Sequence, residues 1–176
     1  MVGRLLTTSI REPRVEPGTE VEQGREAMLG DTFSTTIQAP PEKVWAVVAD
    51  LGTHASWSPK DYSMRWVDGE PNQIGSTFHS VGSIPGNKHN ENDVEITERA
   101  EPTRFAFRAN DPQGVFINEW NLRPAGEGAT EVTFTLTFPK LHGVAAVMGP
   151  ILFPLVGKPD LRKRMALLKQ AVESRG

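Results

Sequence analysis

The sequence predicts an α+β domain: an antiparallel sheet of about seven strands, one short early helix, and a longer terminal helix lying across the sheet. Three observations carry this reading. Apolar and polar residues alternate in a series of segments between residues 33 and 138, the two-residue period of half-buried strands. The breaks between segments hold Gly, Pro or an Asp-Pro pair and are too short for the crossover helices that parallel neighbours need. Clean helical spacing of apolar residues occurs in two places, Val44 to Leu51 and Leu161 to Val172.

Residues 1–30 scatter Pro13, Pro17, Gly18, Gly24 and Gly30 among Glu and Arg with weak apolar periodicity, so a flexible tail is expected there and the folded domain over 31–176. Phe33, Thr35 and Ile37 open the domain as a strand. Pro41 then suits a first helical turn, where a missing N–H costs nothing, and Val44, Val47, Val48 and Leu51 form one helical face. After Gly52 comes Trp57-Ser58-Pro59, where the proline disfavours a helical Ser58.

Strands are expected over 62–67, 76–81, 93–98, 104–109, 115–122 and 131–138. Their alternation puts Val94, Ile96, Phe105, Phe107, Phe116, Trp120, Val132, Phe134, Leu136 and Phe138 on one face, with Arg104, Arg108, Thr133, Thr135 and Thr137 on the other. In the terminal helix, Leu161, Met165, Leu168 and Val172 make a narrow apolar stripe. The segment 143–157 is apolar on all sides, and Gly149, Pro150 and Pro154 predict a broken cover rather than one continuous helix.

With 38% apolar and 23% charged residues, the 176-residue chain has the composition of one soluble domain. A net charge of −3 gives phosphate backbones no general attraction, which argues against nucleic acid. The local basic cluster Lys158, Arg162, Lys163, Arg164 and Lys169 reads as the solvated face of the terminal helix. Cysteine is absent, which removes disulfides and thiolate chemistry and suits a cytoplasmic location. The segment from Met1 to Ile10 lacks the apolar core of a signal peptide, so no export is expected. The stretch Val144 to Val156 is 13 residues and holds two prolines, short of the roughly 20 residues of a transmembrane span.

Specific strings resemble a known family. Ile37-Gln38-Ala39-Pro40-Pro41-Glu42-Lys43-Val44-Trp45 through Asp50, then Trp57-Ser58-Pro59, looks like the opening of the SRPBCC (START-like) polyketide cyclase/dehydrase and lipid-transport proteins. Ile74-Gly75-Ser76, the run Ala100 to Phe105 and the hairpin Gly126 to Thr133 continue the likeness, which covers residues 31 to the C-terminus. The resemblance implies a helix-grip fold, a curved sheet wrapped around the terminal helix with a cavity between them. It assigns no catalytic residue.

Such a cavity is usually about 300 to 1,000 Å³ and largely apolar, with a few polar groups setting orientation. Candidate ligand-binding residues are Trp57, Trp66, Phe78, His79, Phe107, Phe116, Asn118, Trp120 and Phe134. Asn118 falls between Phe116 and Trp120 on the inward parity, where a carboxamide needs a partner. The indoles of Trp57, Trp66 and Trp120 offer flat apolar faces with one donor each, and equally suit core packing. His79, if inward, could move a proton near neutral pH. No metal or cofactor is expected: the four His are scattered, and neither a P-loop nor GxGxxG occurs.

The reading of function that follows is binding or carriage of a small lipophilic molecule, with segment 143–157 as a lid or, alternatively, a homodimer surface. Burying about 300 Å² at about 25 cal/mol/Å² is worth roughly 7 kcal/mol before association costs. An aromatase, cyclase or dehydratase using His79 or a bound water is the enzymatic alternative. A protein-interaction module is the third.

Overall fold

The computed structural model describes residues 29–84 and 87–175. Seven strands form one sheet: β1 (Leu29–Ile37), β2 (Tyr62–Asp68), β3 (Thr77–Ile84), β4 (Asn87–Ala100), β5 (Arg104–Asp111), β6 (Gly114–Pro124) and β7 (Thr130–Leu141). Their order is β1-β7-β6-β5-β4-β3-β2, every neighbouring pair antiparallel. The predicted meander therefore runs from β2 to β7, and β1 closes it by pairing with β7, where Phe33 lies opposite Phe134.

The helices are α1 (Pro41–Val48), α2 (His54–Trp57), α3 (Gly143–Leu152) and α4 (Lys158–Glu173). α1 starts with Pro41 in its first turn and buries Val44, Trp45, Val47 and Val48. It stops three residues before the expected Leu51, which instead opens a 3₁₀ turn, Leu51–Thr53. There the Asp50 carboxylate accepts the Gly52 N–H at 3.1 Å, and Asn72 Oδ1 accepts the Leu51 N–H at 3.0 Å. Ser58 ends α2 in extended conformation, ψ 141°, as its following proline requires.

The expected inner face is the core. Ile96, Phe105, Trp120, Val132 and Phe134 are sealed from solvent, and from α4 Met165, Leu168 and Val172 pack against the sheet with them. Phe116 and Phe138 are half-buried at one end of this face. On the outer face Arg104 pairs with Glu98 at 2.9 Å and Glu119 at 2.8 Å. Thr32 and Ser34 meet Thr135 and Thr133 through hydroxyl contacts of 3.1 and 3.0 Å.

Three expectations need correction. β1 begins at Leu29 rather than at 31, because Leu29 and Gly30 extend it beside Phe138 and Thr137. The rest of the expected tail lies outside the described residues. β4 begins at Asn87 rather than near Asp93: its first half is polar, Asn87-Lys88-His89-Asn90-Glu91-Asn92, and carries no apolar alternation.

The third correction concerns helix continuity. α3 and α4 are joined by a π-helical turn, Phe153–Gly157, so the helical run from Gly143 to Glu173 is unbroken over 31 residues. The Lys158 N–H reaches back five residues to the Phe153 carbonyl. That wider register absorbs prolines that cannot donate in the ordinary ladder. By length and composition this run could cross a bilayer, contrary to the estimate from the 13-residue stretch alone. Its α4 half nevertheless belongs to the core of this domain through Met165, Leu168 and Val172.

Candidate functional site

Between the sheet and α4 lies a cavity of about 130 Å³. Its apolar wall comes from inward positions of four adjacent strands: Phe78 on β3, Val94 on β4, Phe107 and Ala109 on β5, and Phe116 on β6. The antiparallel register produces this grouping, because Phe78 lies opposite Val94 and Phe107 opposite Asn118. The polar wall is Ser58, Tyr62, Ser80, Asn92, Asn118, His54 and Arg164. The volume is below the roughly 300 Å³ expected for a ligand pocket. It is comparable to the roughly 150 Å³ of a cavity that takes up one benzene ring.

Arg164 organises the polar end. Its guanidinium carbon lies 5.2 Å from the Trp57 ring centre, 5.5 Å from Trp120 and 5.5 Å from Phe134. These rings form a box of their own: Trp57 meets Trp120 edge to face at 6.0 Å, and Trp120 lies 4.3 Å from Phe134. The negative ring faces attract the cation, and the box shields it from water. Arg164 Nη2 donates to His54 Nδ1 at 3.2 Å, while Nε is buried with no partner among the described residues.

The His54 tautomer follows from its second contact. Nε2 lies 2.8 Å from the Val48 carbonyl, which only accepts, so Nε2 carries the proton and Nδ1 presents a lone pair to Arg164. Burial, reinforced by the Arg164 charge, pushes the imidazole down to about 3, so it is neutral at physiological pH. Burial lowers Arg164 only to about 10, with the neighbouring Tyr62 opposing the fall, and the guanidinium keeps its charge. The Tyr62 phenol is raised by burial to about 12 and stays protonated. The site thus holds one cation surrounded by neutral groups.

The predicted residues divide into three sets. Phe78, Phe107, Phe116 and Asn118 line the cavity as expected. Asn118 is buried, and its Nδ2 has no partner among the described residues. Trp57, Trp120 and Phe134 are buried and box Arg164 rather than lining the space itself, the two indole N–H groups lacking partners among the described residues. Trp66 is half-buried one strand further out, edge to face with Phe78 at 5.4 Å.

His79 lies elsewhere. Phe78 and Ser80 take the inward parity of β3, so His79 faces out, its Nδ1 3.1 Å from Asp93 Oδ1. It cannot act on a molecule in the cavity. Segment 143–157 does not act as a lid in this structure either, since it supplies no lining residue. Phe153 alone of that segment is buried, against Phe138 at 5.4 Å, while Val144, Val147, Ile151 and Leu155 are exposed. Among the described residues no cluster of His, Cys, Asp and Glu could hold a metal ion.

Sequence reasoning misses His54, Tyr62 and above all Arg164 as site residues. It places Arg164 on the solvated face with the other basic residues of α4, and the structure contradicts this. Arg164 follows Leu161 by three and precedes Leu168 by four, on the same stripe as the apolar residues. That spacing is the available signal.

The family model for polyketide cyclase / dehydrase and lipid transport matches residues 32–173. The chain belongs to this family. Solved structures agree on the fold. The Zhui aromatase/cyclase from Streptomyces sp. R1128 superposes with a TM-score of 0.70 at 16% identity, over 84% of this chain and 95% of its own. A protein of Thermus thermophilus gives 0.67 at 23%, over 84% and 99%. A START superfamily protein from Mycobacterium smegmatis gives 0.66 at 18%, again over 84% and 99%. Comparison with curated proteins gives no match. The helix-grip fold expected of this polyketide cyclase and lipid-transport relative is therefore the observed one, with the cavity between sheet and terminal helix.

Proposed function

We propose that this family member binds and carries a small lipophilic molecule in the cavity between the sheet and α4, in a cytoplasmic setting. The observation that carries the reading is the one-sided apolar wall of Phe78, Val94, Phe107, Ala109 and Phe116 facing a small set of polar groups. Apolar burial supplies affinity and the polar end supplies orientation. A ring-sized body burying about 200 Å² of apolar surface gains about 5 kcal/mol before association costs, so apolar contact alone gives weak binding. A specific polar contact or a widened cavity is required for tight binding. A cyclase or dehydratase role agrees equally with the family but has no further support from the site: His79 faces away from the cavity, which leaves a bound water as its proton carrier.

Gentle native mass spectrometry of the purified protein, followed by solvent extraction, tests the proposal. A stoichiometric lipophilic species is the expected result. A clean apo mass together with no thermal shift across lipids, steroids and small aromatics would overturn it. The same spectrum reads out the homodimer, which we propose forms through the exposed Val144, Val147, Ile151 and Leu155 of 143–157.

A further inference from the structure

We infer that the cavity is built to receive a planar oxyanion, the carboxylate of a small aromatic or short acyl acid, with Arg164 as its anchor. The inference rests on the cavity-binding reading above and adds the chemical class of the ligand.

The first ground is charge balance. Arg164 makes no ion pair among the described residues. Asp160, four residues earlier on the same helix and the natural intrahelical partner, is engaged by Lys60. From the other elements the guanidinium faces neutral His54 on α2, protonated Tyr62 on β2, and the rings of Trp57, Trp120 and Phe134. An uncompensated cation inside a protein is costly, and a bound anion offsets that cost.

The second ground is donor supply. A guanidinium has five N–H donors in a fixed fork, and one of them is used, on His54. On the facing strand β6, Asn118 Nδ2 is buried with no partner among the described residues. Tyr62 and Ser80 add hydroxyls to the same cavity. On the residues that line the cavity, the unpartnered buried polar atoms are Arg164 Nε and Asn118 Nδ2, both donors. A set of donors around one cation fits a ligand that only accepts. The guanidinium fork matches a carboxylate in two parallel hydrogen bonds, which an alcohol cannot reproduce. The volume of about 130 Å³ suits a body of roughly one ring or a short chain.

The test is an amide-resonance NMR titration of the full chain at neutral pH with benzoate and hexanoate against benzyl alcohol and hexanol. The carboxylates should bind at least ten-fold more tightly than the alcohols of the same skeleton. Arg164→Met should bring the ratio near one, and Arg164→Lys, which keeps the charge without the fork, should fall between. If Arg164→Met fails to fold, the ratio measured on the wild type decides by itself. Alcohols binding as well as the acids would overturn the oxyanion inference while leaving cavity binding intact. A preference that persists in Arg164→Met would overturn the assignment to Arg164. If neither series perturbs the resonances of cavity residues, both this inference and the cavity-binding proposal fall.

Discussion

Arg164 Nη2 lies 3.2 Å from His54 Nδ1, a contact between residues 110 positions apart that fixes one proton and one charge at the end of the cavity. His54 gives Nε2–H to the Val48 carbonyl and its lone pair to the guanidinium, so both ring nitrogens are satisfied only while the ring is neutral.

Stability should therefore fall in mild acid. Unfolded, the imidazole titrates near 6.5; folded, it titrates near 3, held down by burial and by Arg164. Between these values the unfolded chain binds the extra proton. The contribution is fully present above pH 6.5 and lost progressively as pH falls toward 3, at about 1.4 kcal/mol per pH unit within the window. Urea unfolding at a series of pH values should show this slope in the wild type and a shallower one in His54→Gln. Equal slopes would mean that the ring charges in the folded state.

Arg164→Met should leave stability within about 1 kcal/mol of the wild type, because a similar volume is kept and the removal of a part-buried charge offsets the lost contacts with the rings. Thermal and urea unfolding of the ligand-free protein measure this. A loss above about 1 kcal/mol would assign the guanidinium to holding the aromatic box together instead.

Asn118→Leu should stabilise the ligand-free protein by about 1 kcal/mol, since an unpaired buried carboxamide costs about 1 to 3 kcal/mol. The same substitution should weaken binding of any ligand that bonds to the carboxamide. Urea unfolding beside a ligand titration separates the two effects. Destabilisation would show that Asn118 is already satisfied in the folded protein.

Trp120→Ala should cost about 3 to 5 kcal/mol, the range for deleting a large aromatic from a sealed core. Trp120 is sealed from solvent and lies between Trp57 and Phe134, so its removal also opens the box around Arg164. A loss below about 1.5 kcal/mol in chemical denaturation would indicate that the box collapses to fill the gap.

His79→Ala should change stability by less than about 1 kcal/mol, because its pairing with Asp93 is on the surface. Ligand affinity should stay the same in the titration used for Arg164. A clear loss of affinity would place part of the binding surface on the outer face of β3.

Much of the fold is legible in the sequence because its signals are local. Strand alternation locates the inner face from Val94 to Leu136, and proline chemistry locates the start of α1 and the extended Ser58. The first half of β4 is not legible: Asn87 to Asn92 pairs with β3 but is wholly polar and carries no apolar pattern. The site is half legible. Parity alone places Asn118 inside and Glu119 outside. Arg164 and His54 escape because arginine in an apolar stripe and histidine in a loop acquire meaning only when tertiary structure brings them together. The aromatic residues of the box stand out as candidates, but no rule of spacing says that their faces meet a cation rather than a ligand.

The distance along the chain between His54 and Arg164 bears on how the protein is made. β2 to β7 are joined in succession and can pair as they emerge, whereas α4 follows all of them. Synthesis proceeds at roughly 5 to 20 residues per second, so a nascent sheet spends several seconds with its aromatic face uncovered. Trp120, Phe134 and Phe105 are then the surface that a chaperone would hold, and release would await the arrival of α4. Arg164 on α4 is thus added only after every strand of the sheet, so the cavity between them is not complete until that helix has been made.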